Sequence, residues 1–159
     1  MDKTVQLVFA DITERATMLS AFEAKQAINT NGESMFSDVR IYDKDHDAIN
    51  TYIREGAKLL EAQLASTFTI DATDDADPTT TPPTPATMIV WTFTDIDTRR
   101  TTLNADKFKE AIVCYVLSRW LENKIQNTAQ AYTAMFKDLS DAAIKITKTK
   151  RKPARPQES

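Results

Sequence analysis

Two glycines, one cysteine and one histidine in 159 residues exclude most catalytic and cofactor-binding architectures at the outset. Gly32 and Gly56 stand alone, whereas loops that cradle phosphates or dinucleotides need several glycines so that backbone N–H groups can approach the anion. Cys114 has no partner for a disulfide and no companions for a thiolate zinc site. It lies in an apolar helical run, where a thiol is expected to act as an inert small hydrophobe. His46 alone would have to serve any Ser/His/Asp triad, and no nucleophile-elbow glycine pattern accompanies it. The carboxylate pairs Asp95/Asp97 and Asp74/Asp75 fall in expected turns, and no acid/base role is expected of them. The longest apolar run is the seven residues 111–117, far short of the ~20 a membrane span needs. The N-terminal MDKTVQLVFADITER has a short apolar patch followed by charges, so no secretory signal is expected. These absences lead to an expectation of no enzyme, no cofactor, no metal, no membrane and a cytosolic site of synthesis.

The DKDHD stretch at 43–47 is the most site-like motif, because Asp43, Asp45 and Asp47 alternate as oxygen ligands do in a calcium loop. Such a loop needs Gly at its sixth position and a bidentate acid at its twelfth. Ala48 and Arg54 stand there, so the stretch is read as helix capping, with His46 at the surface.

What the chain does have is an uneven charge. Formal net charge is −3. Residues 145–159 hold six basic and one acidic side chain, which leaves −8 on residues 1–144. The expected organisation is therefore one α+β domain over 1–144 and a basic extended tail over 145–159. After Ile146 the tail has no bulky apolar side chain, so it has nothing of its own to offset the entropy of ordering. A partner is expected to hold it through Lys148, Lys150, Arg151 and Lys152, then Pro153, Arg155 and Pro156. Lys-Pro-Ala-Arg-Pro suits an extended or polyproline segment lying in a groove or along a sheet edge. The same cations could instead contact nucleic-acid phosphates, although no aromatic is present for base stacking. A nucleic-acid-associated accessory protein is the alternative function on this ground.

Apolar spacing predicts the elements. Residues 4–10, with Val5, Leu7, Val8 and Phe9, read as a short strand. Asp11 or Thr13 then caps a helix to about Ala27, whose apolar side is Ala16, Leu19, Ala21, Phe22 and Ala27. Asn29 to Gly32 stops it, and residues 35–42 read as a second extended stretch. A helix from Ala48 to about Ser66 carries Ile49, Tyr52, Ile53, Ala57, Leu60 and Leu64 at helical spacing. Phe68, Ile70 and Ala72 alternate as a strand, and its partner at 88–96 puts Ile89, Trp91 and Phe93 on one face.

The loop between these strands, 74–86, holds Pro78, Pro82, Pro83 and Pro85 and is too polar and stiff for helix or ladder. Its Asp74, Asp75, Asp77, Pro82 and Pro83 are candidate contact residues, since loops this long are usually functional or disordered. Asn104 or Asp106 caps a final helical region that bends near 122–126 and is one long helix or two abutting ones. Its segment 111–121 is apolar nearly all round and must be covered nearly all round. Trp91 and Trp120 are expected in the core. The fold class is α+β, mainly helical: two long helices packed with a small antiparallel hairpin or sheet.

The order of these elements resembles the head–tail connector, or adaptor, of tailed bacteriophages over residues 43–124. Ile49, Ile53, Ala57 and Leu60-Glu61 match that family's first helix. Ala111-Ile112, Tyr115-Val116 and Trp120-Leu-Glu-Asn-Lys124 match its second. The resemblance implies a non-enzymatic neck subunit, assembled in the host cytoplasm and located in the virion between head and tail. It implies a homo-oligomeric ring of about 12 copies, with portal and tail proteins as partners and DNA sliding through without sequence specificity. Ile112, Tyr115, Val116, Arg119 and Trp120 would then meet adjacent copies, and Arg99 and Arg100 would form a turn, a rim or an intersubunit ion pair. The first 42 residues and the long helix beyond 127 depart from the family's pattern.

Overall fold

The computed structural model describes residues 3–29, 31–75, 79–81, 87–94 and 105–149, with side chains as far as 145. In chain order the elements are β1 (Lys3–Val8), α1 (Phe9–Gln26), the short α2 (Phe36–Val39), a 3-10 turn (Asp43–Asp45) and α3 (His46–Ala65). The hairpin β2 (Ile70–Asp74) and β3 (Met88–Phe93) follows, then α4 (Ala105–Leu121) and α5 (Gln126–Thr149). The protein is mainly helical α+β with one small antiparallel sheet.

The sheet order is β1-β3-β2. β3 pairs with both neighbours, so Trp91 faces Val5 on one side and Ala72 on the other. Ile89, Trp91 and Phe93 are buried in alternation, as the period-2 pattern requires. β2 is an edge strand and mostly exposed. Asp75 closes the hairpin. One carboxylate oxygen accepts the Thr87 and Met88 backbone N–H groups at 2.6 and 3.0 Å, and the other accepts the Thr87 hydroxyl.

α4 runs through the middle of the core. Phe108, Ile112, Val116, Leu117 and Leu121 are all fully buried. Burying each such side chain favours folding by roughly 1.5–3 kcal/mol. Phe108 meets Trp91 of the sheet edge to face, with centroids 5.4 Å apart. Arg15 and Asp11 of α1 pair with Glu110 and Lys109 at 3.2 and 3.7 Å. α5 folds back on α4 after the turn at 122–125, so that Tyr115 and Phe136 meet at 5.2 Å. The nearly all-round apolar helix is thus covered by its own chain: sheet, α1, α3 and α5.

Two local expectations are corrected. α1 begins at Phe9 with no side-chain cap. β1 passes directly into it, and the Phe9 N–H goes to Thr87 O at 3.0 Å. Asp11 and Thr13 therefore lie within its first turns. Residues 35–42 form no strand, because local acceptors take their backbone groups. Ser34 Oγ accepts the Phe36 N–H at 3.2 Å and starts α2, while the Ile41 N–H goes to the buried Ser20 Oγ at 3.0 Å.

Candidate interaction site

The residues proposed for contacts between copies separate into two sets. Ile112 and Val116 are 0 % exposed. That is a correction: both lie in the core of the single chain and have no surface to offer a neighbour. Trp120 is half-buried, and its Nε1–H donates to Val39 O at 2.6 Å, with Lys124 Nζ 4.0 Å from its ring centroid. It anchors α2 to α4 and keeps one edge at the surface.

Tyr115 and Arg119 form a site. They lie a turn apart on α4, on the side facing α3. The Tyr115 hydroxyl donates to Glu55 Oε2 at 3.0 Å, and Arg119 Nε lies 3.4 Å from the same oxygen. Arg119 Nη1 also reaches Glu122 Oε2 at 3.3 Å, and its guanidinium sits 5.4 Å from the Tyr52 ring centroid. One cation between two carboxylates leaves the cluster with a net negative charge. Burial, then the hydrogen bond to Glu55, pushes the Tyr115 phenol up to about 12, so it stays a donor at neutral pH. α3 approaches closely because Gly56 has no Cβ; one built there would lie 3.0 Å from Tyr115 Cδ1.

Between α3 and α5 this cluster lines a groove of about 530 Å³, with Leu59, Ala129, Gln130, Thr133 and Phe136 along it. Leu59 keeps 45 % of its surface exposed there. The arrangement is a shallow amphipathic cleft with pre-positioned hydrogen-bonding groups, which suits a protein segment. The sequence pattern did not show this groove. Leu59 precedes the buried Leu60 by one position and falls off the buried stripe, and only the α4–α5 hairpin supplies the opposite wall.

The other candidates take different places. Asp74 pairs with Arg54 at 3.0 Å and Asp75 closes the hairpin, so both brace the base of the loop. The Thr87 hydroxyl bond, first among several, holds the Asp75 carboxyl below the usual range. Asp77, Pro82, Pro83, Arg99 and Arg100 lie outside the described residues. So do Lys150, Arg151, Lys152, Pro153, Arg155 and Pro156; Lys148 falls in α5, but its side chain is not described. In the DKDHD stretch, Asp45 Oδ2 accepts the Tyr42 N–H at 2.9 Å and His46 Nε2 lies 3.7 Å from Asp43. Asp47 stands in the first turn of α3, where a carboxylate suits the positive end of the helix dipole. Cys114 is buried, and desolvation pushes its thiol up to about 11. Phe22, expected on the covered side of α1, is 57 % exposed, with Met18 one turn before it at 59 %. α1 buries Ile12, Ala16, Ser20 and Ala24 instead.

Among the described residues, no helix is long and apolar enough to cross a membrane. No family model, curated protein or solved structure matches this chain.

Proposed function

We propose that this chain is a structural subunit of a bacteriophage head-to-tail connector, a neck or adaptor ring that joins portal to tail and lines the DNA channel. The observation that carries the reading is the pairing of α3 with α4. Ile49, Ile53, Ala57 and Leu60 of the one, and Ala111, Ile112 and Val116 of the other, underlie the resemblance, and all are buried in the chain's core. Gly56 lets these two helices close up on Tyr115.

The role is mechanical. Each copy offers a groove between α3 and α5 and, elsewhere, the exposed Phe22 on α1. Unlike surfaces on one subunit suit head-to-tail contacts, which close into a ring when the rotation permits. The net −8 on residues 1–144 repels DNA phosphates and lets the duplex slide. The basic tail reaches an acidic surface on a neighbouring subunit or partner protein.

Mass photometry or size-exclusion chromatography at micromolar concentration, with and without purified portal, tests the reading. Assembly into a ring, or a complex with portal, is the expected result. A strictly monomeric chain that ignores portal overturns it.

A further inference from the structure

A second groove, of about 670 Å³, opens where β1 passes into α1. Val8, Phe9, Met18 and Met88 give it an apolar wall, and Glu14 and Asp43 stand on its rim. Both acids are exposed. His46 pairs with Asp43 across 3.7 Å, and among the described residues no Lys or Arg lines the groove. Met18 leaves 59 % of its surface uncovered beside it. A site with an apolar floor and an acidic rim fits a segment that alternates apolar ridges with cations.

The chain carries such a segment. α5 is described as far as Thr149, and residues 150–159 read KRKPARPQES, with four cations and one carboxylate. A polyproline helix has three residues per turn. That spacing puts Pro153 and Pro156 on one ridge and Lys152 and Arg155 on the next. Ten residues in this form span ~31 Å, enough to cross the groove and leave reach beyond it.

We propose that the groove at the start of α1 is the docking site for the basic C-terminal segment, residues 150–159, supplied by a neighbouring copy. The proline ridge lies on Val8, Met18 and Met88, and Lys152 and Arg155 face Glu14 and Asp43. This assignment rests on the tail-docking part of the reading above and names the acidic surface as one on this same chain.

The test is a titration of a fluorescent peptide of residues 148–159 against the full chain carrying K150E/R151E/K152E, whose own tail is repelled from the rim. Saturable binding is expected. It weakens about tenfold or more when E14K/D43K is added, and again as salt is raised from ~50 to ~300 mM. Because the rim substitutions are at exposed positions, circular dichroism of each variant is expected to be unchanged. Met18→Ala is expected to weaken binding without altering the salt slope, because it removes apolar contact and no charge. An absence of saturation at low salt, or equal affinity for the E14K/D43K chain, overturns the assignment. The mass of the wild-type assembly separates the two ideas. A ring that persists in E14K/D43K with no peptide binding removes the docking site alone. A monomeric wild type whose tail-reversed form still binds peptide removes the ring and the neighbouring copy as the source of the segment, and leaves the groove as its site.

Discussion

The Tyr132 hydroxyl on α5 donates to the Glu23 carboxylate on α1 across 3.1 Å, tying together helices 109 residues apart in sequence. Tyr132 is only 7 % exposed, so this bond is a largely buried link between the last helix and the first. Burial, then the charge and hydrogen bond of Glu23, pushes the Tyr132 phenol far above its ordinary value. Tyr132→Phe keeps the ring packing and removes the donor. It is expected to cost about 1 kcal/mol, read as a lower urea midpoint at unchanged slope.

Gly56 and Tyr115 form a second test of packing. Alanine has the better helix propensity by about 1 kcal/mol, but its Cβ would lie 3.0 Å from the Tyr115 ring. Overpacking costs about 1–3 kcal/mol, so Gly56→Ala is expected to be neutral to destabilising in the wild type. In a Tyr115→Ala background, where the ring is gone, the same change is expected to stabilise. Equilibrium denaturation of the four chains gives the coupling directly.

Alkaline pH is expected to weaken the fold. Tyr115 and Cys114 hold their protons to about 12 and about 11, against ordinary values of 10.0 and 9.0. Above the ordinary value the unfolded chain releases a proton that the folded chain keeps, so stability falls as pH rises. The part these two groups contribute is level below about pH 9 and declines from there to about pH 12, and Tyr132, held higher still, adds to the fall above its ordinary value of 10.0. Tyr115→Phe flattens the upper part of this decline, as thermal melts across the range will show.

Trp120 Nε1–H bonded to Val39 O is a polar link from α2 to α4. Trp120→Phe leaves the carbonyl of a buried residue without this donor, and is expected to cost about 1–3 kcal/mol. Hydrogen exchange of residues 36–41 is expected to speed up more than that of α4, because the loss is local.

Cys114 is expected to resist a thiol reagent in the native state. Its thiol is buried and kept protonated by desolvation, and the thiolate is the reactive form. Labelling at pH 7 should track global unfolding, with a rate that rises steeply only across the denaturation midpoint.

Periodicity made most of the elements legible. The stripe from Ile49 to Leu64 and the alternation of Ile89, Trp91 and Phe93 each reappear as the buried face of one element. The bend near 122–126 resolves into a turn between two helices. Periodicity failed where a segment's backbone groups were taken by side chains, as at Ser34 and Ser20. It also failed on α1. Helical spacing groups Phe22 with Ala16 on one apolar side, yet Ala16 is buried there while Phe22 is exposed, and the small Ser20 and Ala24 face the core beside Ala16.

The amino-acid pattern alone determined the mainly helical α+β class, the hairpin pairing and which helix had to be covered on all sides, because these follow from local spacing of apolar groups. Only the tertiary structure decided what covers that helix. It brought α5 back along α4, set β1 beside β3 and closed Gly56 on Tyr115. It thereby turned Ile112 and Val116 from surface candidates into core and left Tyr115 and Arg119 lining a groove. The physical reason is that a buried stripe specifies that a partner surface must exist, while long-range packing specifies whether the chain itself provides it.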